Sequence, residues 1–203
     1  MTVTATVSSV LPWHHDTWLR LSEQFAGGRL PHALLLVGER HSGKQQFAQA
    51  LVRTLLCHEP VNGLNCGHCR ACDLSRAGSH GDFQLLQPEP PSRVIKVNQV
   101  RELVEFAVKT ASLGKRKVML LTPADSMTTQ AANALLKSLE EPAPDTYMIL
   151  VSHRLHGLPA TIRSRCQAVK FIMPAKEHSV TWLNGFTHNL ADSEKALELT
   201  RGK

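Results

Sequence analysis

ALLLVGERHSGKQQFAQAL, residues 33–51, is the stretch that decides the fold. Residues 34–37 are an apolar run of strand length, and residues 38–44 a polar loop bounded by glycines. Phe47, Ala48, Leu51, Val52, Leu55 and Leu56 then recur at helical spacing. Strand, loop and helix in this order follow the phosphate-binding pattern G-x-x-x-x-G-K-[ST] through Gly38, Gly43 and Lys44. The pattern breaks at its last position. Gln45 stands where a serine or threonine hydroxyl would hold magnesium, and an amide on a longer stem is a poor replacement. The loop reads as a nucleotide cradle that has lost part of its chemistry.

A second loss matches the first. Residues 118–121, VMLL, form another buried strand, and in a phosphate-loop ATPase this strand ends in acidic residues that orient the metal and activate water. Here Thr122 and Pro123 follow, and proline neither coordinates a metal nor accepts a proton. Asp125 comes later, in the turn toward the next helix, and reads as a cap before it reads as a displaced catalytic acid. Ser152, at the end of a third strand over 147–151, stands where many ATPases sense the γ-phosphate, although a strand-end serine is ordinary.

Outward from the loop, residues 16–26 predict a first helix with Trp18, Leu19, Leu21 and Phe25 as its stripe, Asp16 as its cap and Gly27 and Gly28 as its stop. His32, before the first strand, is read as structural rather than as a contact to a base. Residues 94–97 predict a short edge strand. Asn98 is then expected to cap a helix burying Val100, Leu103, Val104, Ala107, Val108 and Ala111, with Gly114 as its stop. Lys115, Arg116 and Lys117 read equally as a phosphate contact and as a solvated basic turn. A helix over 128–141 buries Ala132, Leu135, Leu136 and Leu139 and is stopped by Pro142. Residues 159–164 predict a short helix and 167–173 a last strand. After Pro174 the pattern is helical only, with candidates over 175–186 and 193–201 and Asp192 as the cap of the second. Strands alternating with helices predict an α/β fold with a parallel sheet covered on both faces.

Four of the five cysteines fall between positions 57 and 72, as Cys57, Cys66, Cys69 and Cys72. A C-x2-C turn brings two sulfurs within reach of one tetrahedral ion. Four thiolates leave no open coordination position, so the expected metal is structural, with zinc first and an iron–sulfur cluster second. Four free thiols in a loop are the plain alternative, and His58, His68 and His80 are possible substitute ligands. The segment is poor in apolar residues, so a metal would do the work of a core there.

At 42% hydrophobic and 20% charged residues the 203-residue chain has the composition of a globular protein. The longest apolar runs are far short of a membrane span, and the N-terminus lacks the basic start and apolar core of a signal peptide, so a cytoplasmic protein without membrane contact is expected. A net charge of +6 and a pI near 9.3 permit an anionic partner.

PHALLLVG, the four-cysteine insertion, AANALLKSLEEP and TIRSRC, in this order, resemble bacterial clamp-loader ATPases, the AAA+ family that contains the γ/τ and delta-prime subunits of DNA polymerase III. The resemblance spans nearly all of residues 13–203. It implies an AAA+ RecA-like domain over 1–173 with a zinc module at about 57–82, a helical lid domain begun at 174–203 and cut short, and an absent collar domain. Gln45 and the Thr122-Pro123 pair depart from the γ/τ motor and side with delta-prime, an ATPase-dead lineage. The resemblance further implies that Arg165, in Ser164-Arg165-Cys166, is an arginine finger given in trans, with Arg163 as a supporting charge. It names as partners γ/τ, delta, the sliding clamp and primer–template DNA, and it leaves Gly38, Gly43 and Lys44 as a vestigial nucleotide site. Two other readings compete. One is an active ATPase using Asp125; the other is a zinc-dependent nucleic-acid module using Lys115, Arg116 and Lys117.

Overall fold

The computed structural model describes residues 7–199. Its centre is a sheet of parallel strands: β1 (Ala33–Gly38), β2 (Phe83–Leu86), β3 (Lys117–Leu121), β4 (Thr146–Ser152) and β5 (Gln167–Phe171), in the order β2-β3-β4-β1-β5. Alternate side chains of a strand point to opposite faces, and the central strands are apolar on both. Leu35, Met119, Leu121, Met148 and Leu150 pack under α4 (Val97–Val108), α5 (Thr129–Glu140) and α6 (Ala160–Arg163). Leu34, Leu36, Val118, Leu120, Ile149 and Val151 pack under α1 (His15–Ala26) and α2 (Lys44–Leu56). α3 (Arg70–Ala77) follows the cysteine turn, and α7 (Lys176–Thr187) and α8 (Leu190–Leu199) follow the sheet and pack on each other. The expected α/β sheet with helices on both faces is present.

Several local expectations are corrected. Residues 94–97 are not a strand: Ile95 makes only an isolated bridge to Met127, and Gln99 Oε1 accepts the Lys96 N–H at 2.9 Å, which draws this segment into the start of α4. The edge strand is β2, whose half-exposed FQLL carries no clean alternation to announce it. Lys96, not Asn98, is the N-cap of α4, and the helix stops at Val108, well before Gly114. Val108 is consequently 72% exposed rather than part of the stripe. What holds residues 112–114 is Asp82. Its fully buried carboxylate accepts the backbone N–H groups of Ser112, Leu113 and Gly114, the last two at 2.9 and 3.0 Å, and the Ser112 hydroxyl at 2.9 Å.

Asp16 and Asp192 lie in the first turns of α1 and α8, where a carboxylate suits the helix dipole, and not at the caps. Leu19 faces outward. The solvated-turn reading fails at Lys117, which is buried at the start of β3 and donates to the Phe106 carbonyl at 2.6 Å. The end of the second lid helix expected at 200–201 lies outside the described residues.

Candidate functional site

The phosphate loop sits where β1 hands over to α2. Gly38 is required by close packing, since a Cβ there would stand 2.2 Å from the Phe171 carbonyl of β5. Gly43 is required twice over. Its φ is +82°, and a Cβ would meet Leu11 at 2.3 Å and the His14 ring at 2.9 Å. The first turn of α2 thus leaves its backbone N–H groups toward a cleft of about 480 Å³ lined by Arg40, His41, Gly43, Lys44, Gln45 and His153. Lys44 is buried and donates from Nζ to the Glu39 carbonyl of its own loop at 2.7 Å. Burial lowers its pKa, while the Asp125 charge works in the opposite direction. Gln45 is exposed and brings an amide to the magnesium position.

At the end of β3, Thr122 continues the sheet through its N–H to the Leu86 carbonyl at 2.9 Å, and Pro123 follows. Asp125 is neither a helix cap nor a free acid. Its carboxylate accepts the His153 N–H at 2.9 Å, lies 3.2 Å from the Ser152 hydroxyl and pairs with Arg154 at 3.5 Å. Burial pushes this carboxyl up, but the His153 N–H and the Ser152 hydroxyl outweigh it and hold the group below the ordinary carboxylate range. Ser152 is fully buried and serves this local network, 2.8 Å from the Arg154 carbonyl. Sequence reasoning missed Arg40, a loop residue outside the fixed positions of the pattern, and His153, which reaches the cleft because β4 ends beside the loop.

The four clustered cysteines do come together. Their sulfurs all lie within 4.8 Å of one another. Cys57 is 3.8 Å from Cys69 and 3.7 Å from Cys72, and Cys66 is 3.9 Å from Cys72. A tetrahedron with bonds of ~2.3 Å has edges of about 3.8 Å, so the donor set has the size of a four-thiolate metal site. Cys57 caps the end of α2, Cys69 caps the start of α3, Cys72 lies in the first turn of α3, and Cys66 sits in the turn between the helices. The Cys66 and Cys69 N–H groups donate to the sulfurs of Cys57 and Cys66 at 3.3 and 3.4 Å, and Asn65 reaches Cys72 at 3.6 Å. Those donors favour thiolates, whereas burial pushes Cys57 up to about 12. None of His58, His68 and His80 joins the group; His80 instead accepts the Asp82 N–H at 3.1 Å.

Arg165 stands between α6 and β5, at the end of the sheet opposite the loop. β5 runs beside β1 from the Leu34–Gln167 pair to the Gly38–Phe171 pair, about 13 Å of strand at ~3.3 Å per residue. The guanidinium is about one-third exposed. It forms an ion pair with Glu140 and donates to the Thr161 carbonyl at 2.9 Å. Cys166, next in the chain, is buried against α5 and α6, and burial raises its thiol to about 11. Arg163 has its Nε buried without a partner.

The sequence profile of a family described as "DNA polymerase III, delta subunit" matches residues 13–175. The chain is 45% identical over 179 residues to "DNA polymerase III subunit delta'" of Pseudomonas aeruginosa, covering 87% of this chain and 53% of the relative. The chain belongs to the delta-prime family of DNA polymerase III subunits. The Escherichia coli K12 member of the family is 40% identical over 173 residues, covering 85% of this chain and 52% of its own. The chain therefore spans about half the length of these family members. Among solved structures, a DNA polymerase III gamma subunit-related protein of Thermotoga maritima superposes with a TM-score of 0.60 at 22% identity, covering 90% of this chain and 53% of its own. The RuvB branch-migration motor of the same organism gives 0.51 at 13% identity, covering 85% and 49%. Both place the chain in the AAA+ fold. Among the described residues, no helix is long and apolar enough to cross a membrane.

Proposed function

We propose that the chain is part of a non-hydrolysing clamp-loader subunit that supplies Arg165 in trans to a neighbouring ATPase. The observation that carries this is the placing of Arg165, partly exposed, at the end of the sheet remote from its own phosphate loop. From there it is unable to act on a nucleotide held by Gly43 and Lys44, whereas a neighbour's site is open to it. Phosphoryl transfer spreads charge over the equatorial oxygens, and a guanidinium inserted from outside raises such rates by about 10³–10⁵. Its ion pair with the half-exposed Glu140 is worth no more than about 1 kcal/mol and engages one terminal nitrogen, so other N–H groups of the fork remain available to a phosphate.

Gln45 and Pro123 support the loss of hydrolysis, since both metal-holding positions lack the hydroxyl or carboxylate that the reaction needs. Lys44, turned onto its own loop, is in keeping with a vestigial nucleotide site. The four cysteines fit zinc, held by Cys57, Cys66, Cys69 and Cys72. It would fix the insertion and supply no chemistry to a substrate, because four thiolates close the shell. The subunit would act in the cytoplasm with γ/τ and delta to load the sliding clamp on primer–template DNA.

The test is reconstitution of the full-length protein with γ/τ and delta, comparing wild type with Arg165→Ala. The expected outcome is intact assembly with clamp-loading ATPase slowed at one site by at least tenfold. An unchanged site-specific rate removes the finger.

A further inference from the structure

We infer that Glu140 is the positioning residue of the Arg165 guanidinium. The inference rests on the proposed role of Arg165 and adds to it the group that aims the side chain. Arg165 is held at both ends of its fork. Nη2 pairs with Glu140 Oε1, while Nη1 donates to the Thr161 carbonyl at 2.9 Å and lies 3.4 Å from the Ser164 hydroxyl. Contacts at both terminal nitrogens fix the plane of the guanidinium and leave its other N–H groups free to donate outward.

Two of the anchors belong to the finger's own turn and move with it. Glu140 is different. It is the last residue of α5, directly after Leu139, which is 2% exposed and packed with Leu135, Ile162 and Cys166 in one core cluster. The carboxylate is therefore mounted on a second, rigid element. It pairs with Arg165 rather than with Lys137, three residues back on its own helix. The place is electrostatically suited to a cation, because the C-terminal end of a helix carries partial negative charge and Glu141 is the next residue. An arginine without such an anchor samples many rotamers, and the share spent in the productive one falls accordingly. Thr161 belongs to the short α6, whose terminal carbonyls need donors from outside the helix, so its bond to Arg165 also ties the finger to that turn.

The test measures ATP turnover by the reconstituted complex carrying wild type, Glu140→Ala, Glu140→Gln, Arg165→Ala or the Glu140→Ala/Arg165→Ala pair, with assembly followed by size exclusion. Glu140 is exposed, so both of its variants are expected to fold and assemble. Glu140→Ala should lower kcat by roughly three- to tenfold with little change in KM for ATP. Glu140→Gln should restore most of the rate, because an amide oxygen still accepts the Nη2 hydrogen bond. In the Arg165→Ala background the alanine change should be silent. If Arg165→Ala slows turnover while Glu140→Ala leaves it unchanged or faster, Glu140 does not position the finger. The inference is also overturned by a glutamine variant as slow as the alanine one, or by an alanine effect that persists without Arg165. An unaffected Arg165→Ala complex would instead remove the finger itself.

Discussion

Single side chains under the phosphate loop carry a measurable pH dependence. His14 is buried against Phe47 and Phe171, with ring centroids 5.9 and 4.7 Å away, and the Ser42 backbone beside it pulls its pKa upward more weakly than burial lowers it. Burial holds its pKa at about 4, against about 6.5 in an unfolded chain. As pH falls from about 6.5 toward 4, the unfolded chain takes up a proton that the folded chain refuses. The stability tied to neutral His14 is complete above the unfolded value, is lost across that window and levels off below about 4. His14→Phe keeps the ring packing and removes the proton. Between pH 7 and pH 4.5, urea unfolding of the wild type should lose about 2 kcal/mol more than that of the variant. Equal losses would place the titrating group elsewhere. No periodicity marks this histidine, because its burial arises from α2, β5 and the loop meeting in space. Gly38 and Gly43 were legible because the backbone there demands glycine.

Among the elements, the cysteine module joins the end of α2 to α3, and little apolar packing supports it. α3 buries only Ala71 and Cys72. A metal held by the four sulfurs would do work that a hydrophobic face does elsewhere. The purified full-length protein should carry close to one equivalent of zinc by elemental analysis. Chelation under reducing conditions, or Cys72→Ser, should lower Tm by about 5 °C or more. Less than about half an equivalent, with Tm indifferent to chelator, would mean that the sulfurs meet as thiols. The closeness of these cysteines was readable in sequence because short turns hold the sulfurs together. The edge strand was not. β2 is short and half-exposed, and its place is fixed by pairing with β3 and by the Asp82 carboxylate gripping residues 112–114. Periodicity sees neither cause. α4 likewise stops at Val108 while apolar residues recur at Ala111 and Leu113, so the pattern overran the helix.

For the molecule as a whole, catalytic competence depends on groups from separate elements converging. In this chain the loop of α2 meets Gln45 and the end of β3, while Arg165 lies across the sheet. The full-length protein alone should show no magnesium-dependent ATP hydrolysis above background, and Lys44→Ala should leave that baseline unchanged. Turnover by the purified protein that is lost in Lys44→Ala would mean that Asp125, despite its bonds to His153 and Ser152, serves as the acid.

The amino-acid sequence by itself determined the alternation of strands and helices, the interrupted phosphate loop and the clustering of four cysteines. Each is imposed by local rules: side-chain periodicity, backbone freedom at glycine, and the bite of two thiolates across a short turn. Only the tertiary structure decided which end of the sheet each charge occupies and which partner it finds. Arg165 meets Glu140 from a separate helix, Lys44 folds back onto Glu39, and Asp125 is taken up by the end of β4. Such pairings depend on long-range packing between elements far apart in the chain, which no window of sequence contains.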